Sequence, residues 1–104
     1  MSCNVGTYLD SPFHRHRDAA DLSQVPLQMV AGLVGVILDA PGSAACRISL
    51  DRSDVDFRGK AVLIRTGWDQ RWRRDRYWEP GPYLRDEAID FLVDSKPTLV
   101  GVDF

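Results

Sequence analysis

The apolar positions of this chain fall into blocks whose spacing changes along its length. "LVGVILDA", residues 33–40, is a continuous β-branched run that stops at Pro41-Gly42, and it predicts a buried strand. "GKAVLIRTG", 59–67, predicts a second one between flanking glycines. In "LRDEAIDFLVDS", 84–95, Ala88, Ile89, Leu92 and Val93 recur at helical spacing. Asp86 and Glu87 occupy the first turn and Lys96-Pro97 closes the segment, the pattern of an amphipathic helix. "TLVGVDF" then returns as a strand. Strand, helix and strand over 59–103 predict a βαβ unit with parallel strands, and so an α/β fold.

Elsewhere the pattern is shorter and more polar. "VGTYL", 5–9, reads as a short strand that Asp10-Ser11-Pro12 punctuates. "LSQVPLQMVAGL" predicts one or two helical turns, with Pro26 suited to a first turn and Gly32 to an end. Residues 68–83 read as a long loop carrying one helical turn. "CRISLDRSDVD", 46–56, reads as a solvated loop or edge strand. The final strand ends the chain with nothing after it to cover its edge, so self-association into a homo-oligomer is expected.

Composition narrows the class. With 104 residues, 44% of them apolar, residues 1–104 are expected to form one small domain. A formal charge of −2 gives no overall footprint for nucleic acid or an anionic membrane, so neither is expected as a partner. The longest apolar run, "MVAGLVGVIL" at 29–38, is half the length of about 20 residues that spans a bilayer. Two cysteines, Cys3 and Cys46, form no CxxC pair, and no basic segment leads into an apolar one near Met1. A soluble protein in the reducing cytoplasm is the expectation.

Two stretches carry candidate chemistry. In "GTYLDSPFH", 6–14, Asp10 and His14 can converge if Pro12 turns the chain, and a carboxylate beside an imidazole can transfer protons or share a divalent metal. A turn with a capping Asp and a surface His is the alternative. In "RTGWDQRWRRDRYWEPGPY", 65–83, five Arg interleave with three Trp and two Tyr. Rings and guanidinium groups suit stacked bases and phosphates, but Asp69, Asp75 and Glu79 dilute the charge. Arg65 can pair with a ligand carboxylate or with an Asp of a neighbouring strand, and Trp68 can line a pocket or anchor a core. His16 reads as a solvated loop residue.

Residues 4–14, Asn-Val-Gly-Thr-Tyr-Leu-Asp-Ser-Pro-Phe-His, resemble the hallmark His-x-Gly-Thr-His-x-Asp-x-Pro-x-His of the cyclase family, which includes kynurenine formamidase and isatin hydrolase. "DLSQVPL", "GVILDAPG", "VLIRTGWDQRW", "PYL" and "LVGVDF" come in the family's order, so the resemblance covers nearly the whole chain. It implies a swivelling β/β/α fold with a mixed sheet and one main helix, and hydrolysis of a small amide or lactone. Asp10 inherits a metal-ligand position, for zinc or manganese, and His14 a catalytic acid/base. Asn4 and Tyr8 stand where the hallmark has its first two His ligands. The remaining family ligands, in a Ser-x-Asp loop and a later His and Glu, fall after the Gly-x-Asp strand, where this chain ends. The resemblance thus implies a truncated homologue depleted in metal ligands, with weak or altered hydrolysis. Its site would use His14 and Asp10 for chemistry and Tyr8, Arg65 and Trp68 for binding. It also assigns the substrate pocket to the "RTGW" strand end, and gives Asp103 a role in supporting the fold or an interface. A non-catalytic binding or interaction module is the alternative.

Overall fold

A computed structural model describes residues 6–40, 47–48, 50 and 55–104. Cys3, Asn4, Cys46 and part of the 46–56 run lie outside the described residues. The chain divides into two compact units, Met1–Ala31 and Gly32–Phe104.

The first unit is built from turns. The predicted strand at 5–9 does not form among residues 6–9. Gly6 takes a left-handed φ of +78°, which interrupts an extended run at its start. Pro12–His14 forms a 3₁₀ turn, and a second such turn, Leu27–Met29, comes after Pro26. Between them the Asp21 carboxylate accepts from the Ser23 hydroxyl and from the N–H groups of Ser23 and Gln24. Gln24 Oε1 accepts the Asp21 N–H at 3.0 Å in return, a reciprocal cap on one turn.

The second unit carries the α/β architecture. Strands β1 (Gly35–Asp39), β3 (Ala61–Arg65) and β5 (Leu99–Val102) form one sheet in the order β1-β3-β5. Both pairings are parallel, with Val36 beside Val62 and Val62 beside Val100. Strands β2 (Arg47–Ile48) and β4 (Tyr83–Leu84) pair in parallel as a separate two-stranded ribbon. Every described pairing is therefore parallel. The antiparallel strand that would make the sheet mixed is not among the described pairs.

Helix α1 (Asp86–Ser95) is the crossover between β3 and β5, as the strand-helix-strand pattern implies. It buries Ala88 and Leu92 and ends where Lys96, with a φ of +52°, returns its N–H to the carbonyls of Leu92 and Val93. Parallel strands cannot be joined by a hairpin, so the helix is both connection and cover.

Phe57 joins helix and sheet. It sits in a core cluster with Val62, Ile64 and Leu92, is 2% exposed, and meets the Phe91 ring edge-on at 5.8 Å. A turn places it there: Asp56 Oδ1 accepts the Arg58 N–H, and the Phe57 carbonyl accepts the Lys60 N–H at 3.0 Å, one residue before β3. Truncating Phe57 to Ala removes the ring from both surfaces at once and leaves a cavity. The expected cost is about 3–5 kcal/mol, read as a lower urea midpoint with an unchanged slope. A loss under about 1 kcal/mol would contradict its position between α1 and β3.

Candidate active site

The Asp10–His14 turn is local chemistry. Ser11 precedes a proline and is held extended, with φ −91° and ψ 164°. Pro12 then fixes the backbone angle that starts the 3₁₀ turn, and its carbonyl accepts the N–H groups of Arg15 and His16. The Phe13 N–H reaches the Ala20 carbonyl at 3.1 Å, tying the turn to the loop after it. The result brings Asp10 Oδ1 within 3.2 Å of His14 Nδ1. A carboxylate accepts only, so this approach is an ion pair when the imidazole is protonated, with Nδ1 the nitrogen nearer the carboxylate. Both side chains are at least half open to solvent, at 57% for His14 and 50% for Asp10. Tyr8 and His16 are exposed.

A zinc-type centre takes at least three side-chain donors. Among the described residues no three His, Cys, Asp or Glu side chains gather to hold a metal ion. The turn offers one imidazole nitrogen and one carboxylate, with Tyr8 at a hallmark His position. These residues do not by themselves fit a zinc or manganese centre.

Arg65 and Trp68 lie in the second unit, at the carboxyl end of β3. Arg65 donates through Nε and Nη2 to the two carboxylate oxygens of Asp39, its register partner on β1, the second contact at 2.8 Å. This bidentate pair uses one edge of the guanidinium fork. Hydrogen bonding from Arg65 holds the Asp39 carboxyl below its ordinary range against the opposing effect of burial, and the same bond pushes the guanidinium up. Arg65 thus takes the Asp of a neighbouring strand as its partner, and among the described residues its side chain has no other hydrogen bond. Trp68 is buried. The Arg71 guanidinium lies 4.0 Å from its ring centroid, and Gly81 packs against its indole. That makes Trp68 the anchor of the 68–83 loop.

Asp103 fills the supporting role its position implied. Just beyond β5, its carboxylate accepts the Thr66 N–H at 2.9 and 3.0 Å, the Thr66 hydroxyl at 2.6 Å and the Gly67 N–H at 2.7 Å. The Thr66 hydroxyl in turn accepts the Trp68 N–H at 3.1 Å. Gly67 takes φ +79°, a conformation that costs an L-residue about 1–2 kcal/mol. Partial burial pushes the Asp103 carboxyl up, but the Thr66 hydroxyl and the N–H groups of Thr66 and Gly67 outweigh it and hold the group below 3.8. Neither Thr66 nor Asp39 stands out in the sequence. The only trace is their place at the ends of predicted strands.

The sequence profile described as "Putative cyclase" matches residues 1–104. A kynurenine formamidase of Bacillus cereus is 25% identical over 103 residues, covering 99% of this chain and 48% of its own length. A kynurenine formamidase of Bacillus anthracis is 24% identical over the same span and shares. The chain therefore spans about half the length of the curated relatives it matches. No solved structure matches it. This chain belongs to the cyclase family. No helix among the described residues is long and apolar enough to cross a membrane.

The Asp103 contacts give a pH dependence with a definite sign. Because the folded carboxyl is held below 3.8, its stabilisation is complete above that value and is lost as pH falls through the lower, folded one. Asp103→Ala should cost about 1–3 kcal/mol at neutral pH, and the gap to the native chain should shrink towards about pH 2. Urea midpoints at both pH values test this. A gap that stays constant would mean the carboxylate charge contributes nothing.

Proposed function

We infer that this chain is a hydrolase-type cyclase domain acting on a small linear amide or lactone, with His14 as its acid/base. The observation that carries this reading is the 3.2 Å contact between Asp10 and His14 on a proline-fixed turn. Membership of the family and two relatives named kynurenine formamidase support it, and they point to an N-formylkynurenine-like aryl formamide as substrate.

Asp10 orients the imidazole and balances the charge it gains, as a carboxylate does for a proton-transferring His. His14 Nε2 takes a proton from water as the oxygen adds to the formyl carbon, then returns it to the leaving amine nitrogen as the C–N bond breaks. Formic acid and a free amine result. In the family the metal supplies a water that ionises near neutral pH. The described donor set does not reproduce that centre, so turnover is expected to be weak or altered. Tyr8, on the same segment as Asp10 and exposed, is the proposed aromatic contact for the substrate. The setting proposed for this chemistry is the cytoplasm.

A second reading, a non-catalytic interaction module, draws on the solvent-exposed Trp72 and Trp78. Hydrolysis of an aryl formamide separates the two. The native chain should turn it over, and His14→Ala should lower kcat by about 100-fold or more, while Asp10→Asn should lower it less. Equal turnover by the native chain and His14→Ala would overturn the hydrolase reading.

A further inference from the structure

Trp68 and Arg71 stand three residues apart on the 3₁₀ turn Trp68–Arg71, a spacing at which side chains lie over one another. Arg71 accordingly rests on the Trp68 ring, its guanidinium carbon 4.0 Å from the ring centroid. Trp68 is itself buried and packs against Gly81, so the core fixes the platform under the guanidinium. Among the described residues Arg71 alone lies over a ring; Arg73, Arg74 and Arg76 are exposed and have no such support. A planar cation held by its face keeps its N–H edge available for bonding in its own plane.

The group at that edge is Glu79. Its Oε2 lies 3.5 Å from Arg71 Nη1, beyond the span of about 2.7–3.2 Å of an N–H···O hydrogen bond. Glu79 is held at this distance by its backbone. Pro80 after it favours an extended conformation, here φ −65° and ψ 160°, and the Glu79 N–H is given to the Arg76 carbonyl at 3.4 Å. One long contact therefore occupies a fork on which a carboxylate can make two short ones. Both side chains reach solvent, at 39% for Arg71 and 56% for Glu79. Two indoles accompany the pair at the ends of the 71–79 segment. Trp72 follows Arg71 and Trp78 precedes Glu79, each meets Tyr77 edge-on, at 5.0 and 5.8 Å, and both are exposed.

We propose that Arg71 is a binding residue for a carboxylate carried on an aromatic ring, and that Glu79 is its internal stand-in. The ligand carboxylate displaces Glu79 and takes the N–H edge in bidentate fashion, while its ring rests on the indoles of Trp72 and Trp78. An exposed ion pair is a weak competitor, so displacement is easy. It is also selective. A ligand that makes one long contact gains nothing over Glu79, whereas one that bonds twice and covers an indole does. This site lies wholly in the second unit and does not depend on the Asp10–His14 chemistry.

Titration of the full 104-residue chain with sodium benzoate and with sodium acetate, at constant ionic strength, tests this through the side-chain Nε–H resonance of Arg71 and indole fluorescence. Benzoate should bind about threefold or more tightly than acetate, because only its ring reaches the indoles. Glu79→Gln should tighten benzoate binding about two- to fivefold by removing the competitor. Asp75→Asn removes the same charge from the same loop at a position not paired with Arg71, and should change the Kd less. Arg71→Ala should weaken binding about tenfold or more, and Arg71→Lys, which keeps the charge without the planar fork, nearly as much. Benzoate that fails to shift the Arg71 resonance, or that binds no better than acetate, would overturn the proposal. So would equal tightening by Glu79→Gln and Asp75→Asn, or native affinity in Arg71→Lys. Circular dichroism checks that each variant folds. If Arg71→Ala unfolds because Trp68 loses its cover, the comparison of Glu79→Gln with Asp75→Asn decides.

Discussion

One carboxylate holds the carboxyl end of the sheet together. Asp103, just past β5, gathers two backbone N–H groups and a hydroxyl from Thr66 and Gly67, just past β3. Two strands of a parallel pair meet side by side only through a long crossover, so their ends need a separate tie. Asp103 supplies it between β3 and β5, and the Arg65–Asp39 pair supplies the corresponding tie between β3 and β1. The first tie also directs the chain as it leaves β3. With Thr66 and Gly67 fixed, Gly67 turns left-handed and Trp68 enters the core, and the aromatic loop leaves the sheet at a defined angle. Hydrogen bonds to an ionised acceptor are among the stronger ones a fold can use, which suits a single residue placed where several donors converge.

Much of this architecture is legible in the sequence because it rests on burial. The runs at 33–40 and 59–67 and the helical spacing of Ala88 and Leu92 report apolar faces directly, and β1, β3 and α1 fall within them. The parallel pairing of β3 with β5 is a consequence of the intervening helix. The hidden parts rest on polar geometry or on very short elements. The two-residue strands Arg47–Ile48 and Tyr83–Leu84 are too brief to leave a periodic signal. The tie from Asp103 to Thr66 spans 37 positions and pairs residue types that are common at any strand end. The expected strand at the start of the chain gave way because β-branched side chains cannot outvote the left-handed backbone at Gly6.

The candidate site shows the same division. Asp10 and His14 are recognisable from the hallmark, and their contact arises from one proline and two backbone hydrogen bonds. Their chemistry depends on partners. A lone imidazole and carboxylate in solvent can move protons, whereas the family's chemistry rests on a metal held by several donors at once. Arg65 and Trp68 carried two readings each, and both now have intramolecular partners, Asp39 for one and Arg71 for the other. The exposed Trp72 and Trp78 remain outside that site.

The central structural claim is that the Asp103 carboxylate fastens the turn after β3 to the end of β5, and amide hydrogen exchange tests it most directly. In the native chain the Thr66 and Gly67 amides should be protected alongside those of β3. In Asp103→Ala they should exchange faster by a factor of about ten or more while the β3 amides keep their protection. Unchanged protection of Thr66 and Gly67 in that variant would contradict the account.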